Sequence, residues 1–173
     1  PTMDAFVFRT WKNLFKSIGR ANVALRAVST LNDAAFPQKK SRLAELRFLR
    51  GHSYFTMKRL YKNIPIFDEN ASDEDILKTS NDLSNDAAWD KIAADFQYAV
   101  DNLPATQTEI GRADKTAAQA YLAKVKLYQA YTQDATHRVT GINQAKLTEV
   151  INLTQAVILS GKYALSADIA NNF

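Results

Sequence analysis

The 173-residue sequence is 46% hydrophobic and 23% charged, which is the composition of a folded globular domain and not of a disordered segment. It has no cysteine, which excludes disulfides, thiolate zinc sites and cysteine nucleophiles. The net charge of +4 is mild, and the densest group of cations, within residues 39–50, would point in several directions on a helix, so nucleic-acid binding is not predicted. Five glycines and four prolines allow few tight turns, which favours long helices joined by loops.

The first predicted helix covers residues 8–29. One face repeats apolar residues at steps of three and four, which is the period of an amphipathic helix. These residues are Trp11, Leu14, Ile18, Ala21, Leu25 and Val28. Asn22 lies beside this face, so we expect it to be hydrogen-bonded within the packing.

The second predicted helix covers residues 40–61. Its predicted buried face consists of Leu46, Leu49, Ser53, Met57 and Leu60. Gly51 in the middle costs about 1 kcal/mol relative to alanine, and a close approach by another helix would explain its presence. The helix must end before Pro65, and residues 62–84 are predicted to form a long polar loop.

Three further helices are predicted at residues 86–103, 114–133 and 142–160. Pro104 ends the first of them, and Gly161 suits the left-handed position that closes the last. No segment alternates well enough to be a central strand, so the fold class is predicted to be all-α.

The opening of the fourth helix, GRADKT, invites comparison with a phosphate-binding loop. Such a loop needs a second glycine before the lysine, and none precedes Lys115. A helix start explains the stretch better, with Thr116 and Gln119 as a capping box and Asp114 near the positive helix end. The helix carries small residues on one side and larger apolar residues on another, which predicts that it lies between two neighbours.

A weak internal repeat supports helical hairpins. The spacing of a large residue, an alanine and a helix terminator follows the end of a tetratricopeptide unit, in which small residues let paired helices nest. The two copies, 57 residues apart, are Phe96, Ala99 and Pro104, and then Leu153, Ala156 and Gly161.

Neither metal nor catalytic spacing is found in the sequence. His52 and His137 lie far apart, so His52 is interpreted as a packing or hydrogen-bonding residue and His137 as a loop residue. The acidic run between Asp68 and Asp75 lacks the glycine and the spacing of a calcium loop and is interpreted as a solvated loop. No nucleophile or acid/base pair assembles, so we predict neither an enzyme nor a bound cofactor or metal.

Aromatic residues offer a candidate carbohydrate site. Phe6 and Phe8, with Arg9, lie where the first predicted helix begins, at about residue 8, in an extended-looking stretch. Exposed rings stack on the apolar faces of sugars, and arginine can bind hydroxyl or carboxylate groups, so these three residues are the candidate binding residues. The alternative is that they cover an edge of the hydrophobic core. Trp11 and Trp89 occupy helix-facing positions and are expected in the core.

Four segments together resemble the SusD/RagB family of outer-membrane nutrient-binding lipoproteins. They occur in the family's order and cover almost the whole chain. The segments are WKNLFKSIGRAN, AELRFLRGHSYFTMKRLYKNIPIF, DFQYAVDNLP, and GRADKTAAQAYLAKVKLYQA with the later VILSGKYAL.

The resemblance implies tetratricopeptide-like helical hairpins stacked as a right-handed scaffold with long irregular loops. It also implies a non-catalytic surface protein that captures oligosaccharides or other nutrients for a SusC-type TonB-dependent transporter. Such a protein is held at the outer membrane by a lipid anchor, which would lie outside this chain. Because the chain starts PTMDAFVFRT, we expect residues 1–173 to be a single helical region of a longer protein. The alternative is a helical adaptor that binds proteins only, with a groove between helix faces and no stacked aromatic pair at its surface.

Overall fold

The computed structural model describes residues 2–134, 136, 138–168 and 170, and within them six helices and one small hairpin follow one another. The elements are α1 (Thr2–Ser29), α2 (Lys39–Tyr61), α3 (Asp73–Lys78), α4 (Asn85–Asn102), α5 (Lys115–Ala130), β1 (Tyr131–Gln133), β2 (Val139–Ile142) and α6 (Gln144–Leu159). The all-α prediction is confirmed. None of the helices in these residues is both long and apolar enough to cross a membrane.

The long helices pack in chain order, each against the next. Helix α2 lies between α1 and α4, and α5 lies between α4 and α6. Neighbours run antiparallel: the hydroxyl of Tyr61, at the end of α2, donates to the carbonyl of Val7 near the start of α1 at 2.7 Å. The sandwiched position predicted for the fourth helix is therefore confirmed.

Helices α2 and α4 approach each other closely at Gly51 of α2. A Cβ atom built there would be 3.2 Å from the Asp95 Cβ and 3.3 Å from the ring of Phe96, both on α4. The missing side chain therefore lets α4 approach, which confirms the reason predicted for a glycine in mid-helix. Phe96 itself is completely buried at this contact.

The buried face predicted for α2 is only partly right. Ser53 and Met57 are buried, but Leu49 and Leu60 are 55% and 60% exposed. A single stripe at steps of three and four describes a helix with one buried side. Because α2 packs against both α1 and α4, it buries residues on two sides, such as Phe48 and Phe55, and the predicted stripe does not follow them.

Helix α1 begins at Thr2, six residues before the predicted start, so Phe6, Phe8 and Arg9 are helical and not extended. Aromatic and β-branched residues near the start have low helix propensity, but no glycine or proline lies between Thr2 and Ile18. Continuation of the packed helix therefore outweighs weak local propensity.

Two regular elements lie where loop or helix end was predicted. Helix α3 occupies part of the predicted loop 62–84 and starts at a capping box between Ser72 and Asp75. Strands β1 and β2 form an antiparallel hairpin, with Tyr131 opposite Ile142, so α5 ends at Ala130 and not at residue 133. Cross-strand pairing of β-forming residues outweighs one further helical turn here.

The start of α5 is correct in place but wrong in its capping residue. The carboxylate of Asp114 accepts a hydrogen bond from the backbone N–H of Ala117 at 2.8 Å, which makes Asp114 the N-cap. Thr116 is buried in the first turn, so the predicted box of Thr116 with Gln119 is not formed. Gly161 follows α6 with φ +63°, which confirms its predicted left-handed conformation.

Candidate functional site

A groove of about 600 Å³ opens where the end of α2, the start of α4, the end of α5 and the hairpin meet. Its volume lies in the range of small-molecule sites. Four elements supply the lining because antiparallel packing brings their ends together. The walls combine aromatic rings, cations and side-chain amides, and the amides belong to Asn63 and Gln133.

The groove wall is built on a stacked aromatic pair. The rings of Trp89 and Tyr128 lie 4.8 Å apart with an interplanar angle of 21°. Trp89 is 4% exposed, whereas Tyr128 is 42% exposed. Phe55 meets Tyr128 edge-on at 5.8 Å and supports the pair from the core. Core packing of Trp89 is confirmed, and the same ring also positions an accessible tyrosine.

Cations of α2 line the side of the groove near the helix end. The Lys58 ammonium donates to the Lys62 carbonyl, and burial, followed by the charge of Lys62, lowers the pKa of Lys58. The guanidinium carbon of Arg59 lies 5.4 Å from the ring centroid of Phe55. In the part of the chain that the structure describes, neither Arg59 nor Lys62 forms an ion pair.

Asp134 supplies a carboxylate to the described lining of the groove and organises the hairpin. Its Oδ1 accepts hydrogen bonds from the backbone N–H groups of Thr136 at 2.8 Å and Arg138 at 3.0 Å. This carboxylate therefore has a structural role in the turn.

A smaller polar cavity of about 210 Å³ lies between α2, α4 and the loop that follows α2. Arg50 donates to Asp95 at 2.7 and 2.8 Å, to Asn22 at 2.7 Å and to Glu69 at 2.5 Å. Asn22 is thus hydrogen-bonded in the packing, as predicted. Because the charges satisfy one another, this cavity is a structural network and a poorer ligand site than the groove.

Tyr54 ties the same loop to α2, and its contact predicts a pH dependence. Its hydroxyl donates to the Phe67 carbonyl at 2.8 Å and accepts from the Phe67 N–H at 3.1 Å, and burial raises its pKa to about 12. The neutral phenol is favoured in the folded state, so its contribution is complete below the unfolded value of about 10 and is lost as pH rises through the folded value.

We therefore expect the free energy of unfolding to fall between pH 10 and 12, and Tyr54→Phe to reduce that fall. Urea unfolding of both proteins at several alkaline pH values measures it. At pH 7 the free energy of unfolding of the variant should be lower by about 1–3 kcal/mol, because the Phe67 backbone groups lose their hydrogen-bond partner. Identical alkaline slopes for the two proteins would contradict the assignment.

The predicted site residues lie outside the groove. Phe6 and Phe8 are 66% and 65% exposed on α1, and Arg9 is exposed as well. Residues two apart on a helix point in different directions, so the two rings do not form one platform, whereas Phe6 and Arg9 share a side. The Tyr61–Val7 hydrogen bond places the start of α1 near the end of α2, at the same end of the scaffold as the groove.

The histidine and acidic-loop predictions can be compared with the structure. The ring of His52 meets Tyr121 edge-on at 5.1 Å, so it is a packing residue although its side chain is exposed. His137 lies outside the described residues. Within the acidic run, Glu69 pairs with Arg47 and Arg50, and the described residues contain no cluster of three metal-ligating groups.

The sequence interpretation missed Tyr128, Arg59 and Lys62 as site residues. Tyr128 was assigned to an apolar helix face, and the two cations lie at a helix end in a segment that was used only for the family resemblance. A usable signal was the stretch LYQAYTQ, which has two tyrosines and runs from the end of α5 into β1. Aromatic residues at such a junction are placed where several elements can converge.

Comparison with known proteins identifies similar sequences. A SusD-like family model, described as starch-binding and associating with the outer membrane, matches residues 2–127. The SusD-like protein P2 of Formosa agariphila is 31% identical over 132 residues, which are 76% of this chain and 26% of that protein. The chain thus spans about a quarter of the length of this relative.

Solved structures show the same fold. A SusD-like protein from Bacteroides fragilis is 25% identical, with a TM-score of 0.71 over 90% of this chain and 27% of its own. A protein solved with a xylogluco-oligosaccharide is 24% identical, with a TM-score of 0.76 over 95% of this chain and 32% of its own. Similar helical scaffolds therefore occur within longer proteins.

Proposed function

The chain belongs to the SusD-like family, and from this premise we propose that the complete protein captures oligosaccharides at the outer membrane without catalysing a reaction on them. The observation that carries the proposal is the Trp89–Tyr128 stack, whose tyrosine is accessible from a groove of about 600 Å³. The structure solved with a xylogluco-oligosaccharide supports a saccharide as the ligand.

The groove would hold a sugar by shape, stacking and hydrogen bonds. The apolar face of the ring packs on Tyr128, and the amides of Asn63 and Gln133 bind hydroxyl groups. Hydrolysis of a glycosidic bond uses a pair of carboxyl groups across the scissile bond. The described lining offers the single carboxylate of Asp134, already engaged in the hairpin, which supports binding without catalysis.

We propose that capture is followed by transfer to a SusC-type TonB-dependent transporter. The family's association with the outer membrane supports this partner, and a lipid anchor outside this chain would hold the protein at the cell surface. The adaptor alternative predicted no stacked aromatic pair at the surface. The stacked Tyr128 ring, which is 42% exposed over the buried Trp89, favours carbohydrate binding over an adaptor that binds only proteins.

Phe6, Phe8 and Arg9 remain a proposed contact region at the same end of the scaffold as the groove. Both rings and the arginine are exposed, and the start of α1 is attached to the end of α2. A long oligosaccharide could extend from the groove toward them. In that case they contribute to binding of long chains and not of short ones.

Tyr128→Leu tests the groove, because leucine keeps apolar packing and removes the ring face. With the complete protein and a glycan panel in isothermal titration, we expect this variant to weaken Kd about five- to tenfold, an effect of about 1 kcal/mol. The Phe6→Ala/Phe8→Ala variant should weaken binding of long glycans only. Thermal unfolding of each variant controls for loss of folding.

Two results together would refute the proposed function. The complete wild-type protein would bind no glycan of the panel, and a purified SusC-type transporter would fail to co-elute with it. Glycan binding that is unchanged in Tyr128→Leu would instead move the site away from the groove.

A further inference from the structure

We propose that the groove selects saccharides that carry an anionic substituent, a carboxylate or a sulfate, and that Arg59 and Lys62 bind this group. The inference rests on the proposed carbohydrate binding and adds the ligand's charge class. It is carried by two independent observations, the unbalanced charge of the lining and the backbone conformation of Lys62.

Among the residues that the structure describes, the lining holds three cations and one carboxylate. Lys58 is occupied by the Lys62 carbonyl, and Asp134 by the backbone of the hairpin turn. This leaves Arg59 and Lys62 without an acidic partner in the described part of the chain. Two adjacent cations on an apolar wall form a site for an anion, and a neutral sugar would leave both charges uncompensated.

Arg59 is positioned beside the stacking surface. Its guanidinium lies 5.4 Å from the ring centroid of Phe55, and Phe55 in turn meets Tyr128 at 5.8 Å. The arginine therefore stands one ring away from the tyrosine that would carry the sugar. A planar guanidinium can donate two parallel hydrogen bonds to a carboxylate or sulfate, which fits a substituent on a ring stacked nearby.

Lys62 has a conformation that a lysine adopts only at a cost. With φ +59° and ψ −66°, it is the only non-glycine residue with positive φ in the described residues. It is the centre of a γ-turn, closed by a 2.6 Å hydrogen bond from the Asn63 N–H to the Tyr61 carbonyl. Glycine would adopt this conformation without the steric penalty of a side chain.

The exposed Lys62 side chain is not explained by packing. The turn is held by the backbone, since the Lys62 N–H also donates to the Lys58 carbonyl at 3.0 Å, and the side chain itself is exposed beside the groove. A costly residue that packing does not need points to a role for its charge. Its position on the groove makes binding of an anionic group the role that fits.

Lys62→Gly tests both observations on this residue. It relieves the strained backbone, which affects stability, and it removes the cation, which affects binding of an anionic ligand. Titrations use the complete protein with a uronate oligosaccharide, a sulfated oligosaccharide and a neutral oligosaccharide of equal length. The wild type should bind at least one anionic ligand at least tenfold more tightly than the neutral one, and added salt should weaken that binding. Lys62→Gly should weaken anionic binding about fivefold or more, weaken neutral binding by a clearly smaller factor and be at least as stable as the wild type.

Two more variants make the test specific. Arg59→Gln should also weaken binding of the anionic ligand more than that of the neutral one. Lys40→Ala removes an exposed cation at the other end of α2, about 33 Å from Lys62 along the helix axis. It should change neither the anionic nor the neutral binding. The uronate and sulfate arms distinguish the two sources of negative charge.

Each contrary result has its own meaning. Equal binding of anionic and neutral ligands, or equal losses for both in Lys62→Gly, would overturn the charge selection and leave the proposed function standing. Failure to bind any of the saccharides would overturn both. A loss in Lys40→Ala as large as that in Lys62→Gly would show a general effect of net charge and would also overturn the assignment.

Discussion

Arg50→Met is expected to lower the free energy of unfolding by about 3–5 kcal/mol, because it leaves buried acidic groups without their partner. The Arg50 and Asp95 side chains are each 6% exposed and share two hydrogen bonds. The same guanidinium binds Asn22 of α1 and Glu69 of the loop after α2. One side chain thus connects three parts of the scaffold, and the charge left on Asp95 would be far from water.

Chemical denaturation measures this effect, and Lys78→Met is the matched control. Lys78 pairs with Glu74 on α3, but both side chains are more than 70% exposed, so water replaces the lost contact. Asp95→Asn in the Arg50→Met background should recover part of the loss, since it removes the unpaired charge. Losses of equal size in Arg50→Met and Lys78→Met would contradict the role assigned to the buried network.

Phe96→Ala is expected to lower the free energy of unfolding by about 3–5 kcal/mol, because it leaves a cavity where α2, α4 and α5 meet. The ring is fully buried, stacks on Tyr121 at 5.4 Å and meets Phe48 edge-on at 5.6 Å. It also fills the space opened by Gly51. Three helices meet on this one ring, so they cannot close the cavity without separating from one another.

Phe6→Ala is the matched control, because it makes the same substitution at a ring that is 66% exposed. Urea unfolding should show a change of at most about 0.5 kcal/mol for this variant. If Phe96→Ala were as stable as Phe6→Ala, the helices would have to pack differently around residue 96.

These effects bear on function through the geometry of the groove. The groove is assembled from the ends of helices that Phe96 and Arg50 hold in register nearer their middles. Both residues lie outside the groove lining, so a folded variant at either position would alter binding only by moving those ends. The scaffold and the ligand contacts can therefore be tested by separate substitutions.

The sequence by itself determined the helical class, the approximate helix positions and several local features. A period of three to four apolar residues and a glycine after a helix depend on neighbours in the chain, so they can be recognised without a fold. The close helix approach at Gly51, the left-handed conformation of Gly161 and the burial of Trp89 were predicted from such local patterns. The family resemblance was carried by the same packing segments, and it did not identify the groove residues.

Only the tertiary structure decided which sides of α2 are buried, because the helix has two neighbours and a period alone describes one face. It also decided that Phe6 and Phe8 are helical and that the groove joins Arg59, Lys62 and Tyr128. These residues are separated by up to 69 positions in the chain. Their convergence depends on which helix ends meet, which is a property of long-range packing and leaves no local pattern.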